Sequence, residues 1–274
     1  MRRFLNQLFV LVGLALLIIS FLSTASALTI SQPGLQGPAK INYPSHENFK
    51  YPDYFIQLHQ PQAGKIFLLA FNHVFKDFPN PSIPYDRSLQ FGSWINPKND
   101  NSCLNTRGLI LSRDSTAAVM TNSSCSVTSG LWQDPYTDQI FKSAQQIQID
   151  HLVPLKHAYE VGAFEWNHKK RCLYANYTGN NFHLLAVSGH ENMSKSDKAP
   201  NEYVPPNKAF TCQYLKIWLE TKLIWSLRFT PRELNGIIEI KNKNNCADNF
   251  FMMDESEYQN QMTYMNDNQD LCPN

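Results

Sequence analysis

The chain lacks several motifs and segments by which a protein of this size is often classified. Its six cysteines form no C-x-x-C pair, which argues against a structural zinc site. There is no H-E-x-x-H, so a zinc peptidase is disfavoured. After residue 27 no apolar run is long enough to cross a bilayer. Internal repeats are absent as well, which excludes a repeat architecture.

Neither sign of charge is in large excess, since the chain has 24 basic and 23 acidic residues. The distribution is nevertheless uneven. Residues 246–274 contain six acidic side chains and no basic one, whereas residues 28–245 hold 22 basic and 17 acidic side chains. A mildly basic body suits a polyanionic partner, although a surplus this small does not specify a function by itself.

The N-terminus is typical of a secretory signal. Arg2 and Arg3 give a basic start, residues 8–22 are almost wholly apolar, and residues 25–27 form a small-residue cleavage site. An apolar core of about 15 residues is short of the ~20 that a spanning helix needs. We therefore expect a cleaved signal over residues 1–27, a secreted or periplasmic protein, and no stable membrane association afterwards.

All six cysteines follow this segment, and an even number behind an export signal predicts disulfides in an oxidising compartment. Six cysteines allow many pairings. Proximity in the sequence favours Cys103–Cys125, Cys172–Cys212 and Cys246–Cys272.

Composition divides the remaining chain into three parts. Nine of the 16 prolines fall between residues 28 and 100, so we expect a proline-rich extension over 28–92. A denser pattern of apolar residues marks a domain over 93–245. The acidic stretch 246–274 has little pattern and is expected to be a loop tied by a disulfide.

Two strands and a helix are predicted inside the central domain. Residues 145–150 alternate with period 2, and residues 183–187 form a second apolar run, so both are expected to be strands. A short polar helix is expected to start near Asn192. Helical spacing fills the insertion between the strands, residues 156–177.

The other elements are assigned more simply. Residues 107–113 are interpreted as a strand, and a longer helix is expected after Asn207. Thr230 and Glu233 flank a proline in the arrangement of a capped helix start.

Polar residues with nuclease chemistry lie on the two strands and the helix. A phosphodiester resists hydrolysis because it is anionic and water is a weak nucleophile, so its cleavage needs a base and a cation. His151 is the best candidate base, since a histidine pKa of about 6.5 leaves the ring largely neutral near pH 7. Asp150 and Asn192 offer the oxygen ligands that Mg²⁺ prefers. Asn181 is placed to orient the histidine, and Lys195, one helical turn after Asn192, to meet a phosphate.

Asp150 and His151 are neighbours, which limits how they can act together. Neighbouring side chains of a strand point to opposite faces. Both can serve one site only where the strand ends or bends, and Pro154 favours an end there.

These residues belong to three short sequence motifs. They are D-H-L-V-P from Asp150, N-F-H-L-L from Asn181, and N-M-S-K-S-D from Asn192. The three motifs resemble the D-H-x-x-P, N-L-x-L-L and N-x-x-K-x-D pattern of the HNH family of ββα-metal endonucleases. Phe182 departs from the leucine of that pattern. The wider stretch, residues 93–233, looks like a secreted branch akin to the C-terminal nuclease domain of GmrSD-type restriction enzymes.

The resemblance implies an α+β fold, in which a ββα-metal (HNH) core carries a helical insertion and disulfide-tied extensions. It implies His151 as general base, Asp150 and Asn192 as metal ligands, and Asn181 as the orienting residue. It also implies one divalent metal ion, with Mg²⁺ favoured over Mn²⁺ or another ion. The implied substrate is a nucleic acid, with DNA favoured over RNA. Arg171 belongs to a segment of the insertion that recurs in this branch, and we expect it to contact the nucleic acid.

Simpler interpretations of the same residues remain open. Asn181 could merely start a turn with Asn180, and Lys195 could be a solvated helix charge. The whole chain could be a secreted binding protein that retains a degenerate nuclease fold. No protein partner is inferred. Asn122, Asn176 and Asn192 each begin an N-x-S/T triplet, and a glycan on Asn192 would destroy the expected metal site.

Overall fold

The computed structural model describes residues 63–69, 81–97 and 102–272, so the expected signal segment lies outside the described residues. All of the described residues belong to one compact unit of the chain. In chain order its strands and helices are β1 (Lys65–Phe67), α1 (Arg87–Phe91), α2 (Thr106–Asp114), β2 (Met120–Thr121), β3 (Val127–Gln133), β4 (Ile140–Ser143), β5 (Ile147–His151), α3 (Leu155–Glu160), α4 (His168–Ala175), β6 (Leu184–Ser188), α5 (Gly189–Lys195), α6 (Thr211–Trp225), α7 (Pro231–Lys243), β7 (Met252–Asp254) and α8 (Glu255–Asp267).

A strand–strand–helix unit forms the centre of the α+β fold. β5 and β6 pair antiparallel, with Asp150 opposite Leu185 and His151 opposite Leu184, and α5 follows β6 and packs on both strands. The expectation of two strands and a helix here is confirmed. α5 begins at Gly189, however, which is three residues before the expected start at Asn192.

One face of this two-stranded sheet is covered by α2 and by the second sheet, β2-β3-β4. Ile147 and Ile149 of β5 enter the same apolar cluster as Leu184 and Ala186 of β6. These residues lie two apart on each strand and so face the same side of the sheet, which agrees with the period-2 pattern that predicted β5.

The prediction of a strand over residues 107–113 is wrong, because these residues lie in α2. Asn105 caps the helix, its side-chain oxygen accepting from Gly108 N at 3.0 Å. Ile110 and Leu111 are buried against Trp132 in the smaller cluster. A capping asparagine satisfies an N–H that has no partner within the helix, and this favours a helix over the extended form.

A larger core of helices packs beside the central unit. α6 is buried on nearly all sides, as the long helix expected after Asn207. α7 begins with the expected capping box, in which Thr230 accepts from Glu233 N and Glu233 accepts from Thr230 N. None of the described helices is both long enough and apolar enough to cross a membrane.

The C-terminal stretch is not the expected loop. It forms β7, which pairs antiparallel with β1, and the helix α8. A piece of the expected N-terminal extension and a piece of the expected tail therefore join in one small sheet.

Three disulfides are present, as expected, but only one of the expected pairings is correct. Cys103–Cys125 is confirmed, whereas the others are Cys172–Cys272 and Cys212–Cys246. Pairing by sequence proximity fails because α8 returns the C-terminus to α4, which carries Cys172. The Cys172–Cys272 bond thus fastens the end of the chain to the helical insertion.

Replacing both Cys172 and Cys272 by serine should lower the free energy of unfolding by about 2–5 kcal/mol, because a long loop is released in the unfolded chain. The two cysteines are 100 residues apart, against 22 for Cys103 and Cys125. Loss of the shorter crosslink should therefore cost about 1 kcal/mol less. Denaturant unfolding of the two double variants measures both losses, and a larger loss for the short loop would contradict this explanation.

Candidate active site

A cavity of about 560 Å³ opens where β5 ends and α5 passes over it. Asp150 and His151 of β5 and Asn192 of α5 all line this cavity. The two neighbours on β5 reach it together because the strand ends at His151, ahead of Pro154. The cavity is also lined by Tyr85 and Arg87, which no sequence motif had indicated.

The imidazole of His151 is held in one orientation by a backbone carbonyl. Its Nε2 lies 2.9 Å from Ala175 O at the end of α4. A carbonyl only accepts, so Nε2 carries the proton and Nδ1 of the neutral ring keeps a lone pair. The ring also lies flat on Trp94, with centroids 5.4 Å apart and planes 2° apart.

Burial lowers the pKa of His151 well below the usual histidine value, and nearby His183 lowers it further. The ring is therefore neutral at neutral pH, which is the form that can accept a proton. The fixed Nε2–H and the neutral ring leave Nδ1 able to accept a proton.

The carboxylate of Asp150 is buried and satisfied by two donors. Tyr136 Oη donates to Oδ2 at 2.5 Å, and Lys195 Nζ donates to Oδ1 at 2.8 Å. Burial raises the pKa of Asp150, and the charge of Lys195 opposes that rise. A carboxylate has about four lone-pair positions, so two donors leave it able to bind a cation.

Asn192 lies on α5 with its amide fixed by the sheet. Its Nδ2 donates to Gln148 Oε1 at 2.8 Å. Within the described residues no hydrogen bond reaches Asn192 Oδ1, and Asn192 lines the same cavity as Asp150.

Lys195 does not take the expected place beside a substrate phosphate. Its side chain is fully buried, and besides Asp150 it donates to the carbonyl of His151 at 3.0 Å. It lies on the last turn of α5 and faces β5, so it fastens the helix to the strand and neutralises the carboxylate.

Asn181 also differs from expectation, because it is exposed and does not line the cavity. The ring of His151 is oriented by Ala175 instead. The neighbouring Asn180 shapes the turn before β6, its Oδ1 accepting from Phe182 N and His183 N. The sequence alone could not choose between two adjacent asparagines.

Arg171 serves a structural role where a nucleic-acid contact was expected. Its Nε donates to Gln90 O at 3.0 Å, and its Nη1 donates to the carbonyls of Ala163 and Trp166. With these three acceptors the guanidinium joins the helical insertion to the end of α1.

Comparison with known proteins identifies a family for the central part of the chain. The family described as GmrSD restriction endonucleases, C-terminal domain, matches residues 110–240, which include Asp150, His151 and Asn192. The chain belongs to this family. An uncharacterised secreted protein of Arthroderma benhamiae is 34% identical over 162 residues, which cover 59% of this chain and 76% of the relative. No solved structure matches the chain.

Membership of the GmrSD C-terminal domain family indicates a nuclease-like function. The matched residues contain β5, β6 and α5, together with the helical insertion. Residues 81–97, which carry Tyr85, Arg87 and Trp94, lie before the match.

The side chains in the cavity fit a hard cation better than zinc. Among the described residues, no three or more His, Cys, Asp or Glu side chains cluster as they would around a metal ion. Zinc usually takes three or four protein ligands, whereas Mg²⁺ keeps several waters and needs one or two carboxylates. One carboxylate and one amide oxygen, from Asp150 and Asn192, suit the second case.

His183 is a second buried histidine behind the cavity. Its Nε2 donates to Tyr174 O at 2.8 Å, and its buried Nδ1 has no hydrogen-bond partner among the residues that the structure describes. Burial lowers the pKa of His183 from 6.5 to about 3. The side chain packs on Tyr174, Tyr177 and Trp225, so its role is structural.

Stability should depend on pH through His183. Below pH 6.5 the unfolded chain protonates this histidine and the folded chain does not, so the free energy of unfolding falls as pH falls. The His183→Gln variant keeps a donor for Tyr174 O but cannot titrate. Between pH 6 and 5 its unfolding free energy should fall less steeply than that of the wild type, by about 1 kcal/mol per pH unit.

Urea unfolding at several pH values measures the two slopes. Because the wild type and the variant share every other titrating group, only the difference between them is used. His190→Gln, which removes an exposed histidine, is the control. Parallel pH curves for His183→Gln and the wild type would contradict the assignment.

Proposed function

We propose that this protein is a secreted, metal-dependent endonuclease that hydrolyses phosphodiester bonds of nucleic acid, DNA in the first place. One observation carries the proposal. A neutral, oriented imidazole, His151, lines one cavity with the oxygen-bearing side chains of Asp150 and Asn192, inside the part of the chain that matches a restriction-endonuclease family.

His151 acts as the general base. Its Nδ1 takes a proton from the attacking water while Nε2–H stays bonded to Ala175 O, so the ring need not turn during the reaction. The imidazolium that forms keeps this hydrogen bond. Trp94 packs on the ring and holds it against displacement.

Asp150 and Asn192 would hold the divalent ion, Mg²⁺ before Mn²⁺. Such an ion, when bound, neutralises charge that develops on the phosphate and on the leaving oxygen. Lys195 and Tyr136 keep the carboxylate of Asp150 in place.

Secretion is supported by two observations besides the expected signal segment. Three disulfides suit an oxidising compartment. The similar protein of Arthroderma benhamiae is itself described as secreted. Low sequence specificity is proposed because contacts with the phosphate backbone carry no direct sequence information.

The His151→Ala variant should lose about 10²–10⁴-fold in the rate of plasmid cleavage, because that is the usual contribution of a general base. EDTA should abolish cleavage by the wild type, and Mg²⁺ should restore it. The measurement is conversion of supercoiled plasmid to nicked and linear forms.

His190→Ala is the matched control, since His190 lies on α5 with an exposed side chain. It should cleave as the wild type does. A folded wild type that cleaves neither DNA nor RNA with any divalent ion would overturn the proposal and favour a non-catalytic binding protein.

A further inference from the structure

The segment formed by residues 81–97 is fixed against the candidate site, although it precedes the part of the chain that matches the family. Arg171 Nε donates a hydrogen bond to Gln90 O of this segment. Asn176, which caps α4, donates to Ser93 O and accepts from Ile95 N, both at 3.1 Å. The segment is therefore anchored to the same helix whose last residue orients His151.

Arg87 is the first residue of α1 in this segment, and its side chain lines the cavity. It is exposed, and its guanidinium carbon lies 5.7 Å from the ring centroid of Trp94. Trp94 also stacks on His151. One indole therefore contacts both the candidate base and a cation.

The other cations of the site are already paired. Lys195 is buried against Asp150, and Lys156 donates to Asp197 at 2.5 Å. Within the described ranges, no hydrogen bond or ion pair engages the guanidinium of Arg87. Each of the two ion pairs cancels in charge, so Arg87 is the cation of the described cavity lining that lies outside an ion pair.

We propose that Arg87 binds the phosphate group that lies next to the bond that is cut in the nucleic-acid strand. This inference rests on the proposed function. A guanidinium presents parallel N–H donors that match two phosphate oxygens. Without Arg87, the described lining of the cavity would offer an anionic substrate no cation outside an ion pair. Arg171 and Asn176 act through this segment as positioning residues.

Binding tests this inference without cleavage. In a His151→Ala background, Arg87→Ala should weaken binding of a labelled DNA duplex in EDTA, as measured by fluorescence anisotropy. The slope of log affinity against log salt should become shallower by about 1, because one phosphate contact is lost. Arg232→Ala is the matched control, since it removes an exposed arginine of α7 outside the cavity.

Cleavage gives a second readout. With His151 intact, Arg87→Ala should lower kcat/KM for DNA by about 10–100-fold, as expected for the loss of one charge-assisted contact to a phosphate. The kcat/KM of Arg87→Lys should lie between those of Arg87→Ala and the wild type, because lysine keeps the positive charge but lacks the parallel N–H donors of arginine. Arg87 is exposed, so the unfolding midpoints of Arg87→Ala and Arg87→Lys should match that of the parent protein with the same residue at position 151.

The outcomes separate the two proposals. If the wild type cleaves DNA, His151→Ala does not, and Arg87→Ala behaves as Arg232→Ala in both assays, the role of Arg87 is refuted and the nuclease stands. If the wild type does not cleave, the proposed function fails. A loss of salt slope confined to Arg87→Ala would still support a phosphate contact in that case.

Discussion

The hydrogen bond from His151 Nε2 to the carbonyl of Ala175 is the contact on which the candidate site depends. It decides which ring nitrogen keeps a lone pair, and so which atom can accept a proton. A backbone carbonyl at a helix end is a rigid acceptor, because the helix holds it in place. The chemistry expected of β5 is thus controlled by the end of α4, a helix of the insertion between the two strands.

α4 is held in place by contacts along its whole length. Tyr174 Oη donates to Val153 O at 2.6 Å, while Cys172 is bonded to Cys272. Arg171 and Asn176 attach the segment 81–97 to the same helix. These contacts join a remote N-terminal segment and the C-terminus to the element that orients His151, so residues outside the family match support the site.

The sequence predicted the central unit well because its signals are local. A period-2 pattern predicted β5 and an apolar run predicted β6, and the motif residues Asp150, His151 and Asn192 line one cavity. The sequence-based predictions failed where contacts between distant parts of the chain determine the position of a residue. Lys195 was expected at the surface, but it is buried because it faces Asp150. Ala175 acts through its backbone, which no side-chain motif can reveal, and Arg87 is brought in by a distant part of the chain.

The ion pair between Asp150 and Lys195 explains why the carboxylate can remain buried at the cavity. An unpaired buried charge costs several kcal/mol, whereas a paired and hydrogen-bonded one is tolerated. Tyr136 adds a second donor on the opposite oxygen. The carboxylate is thereby held in one orientation while its remaining lone pairs stay available. Under the proposed function, a cation that enters the cavity would meet a carboxylate whose position is already fixed.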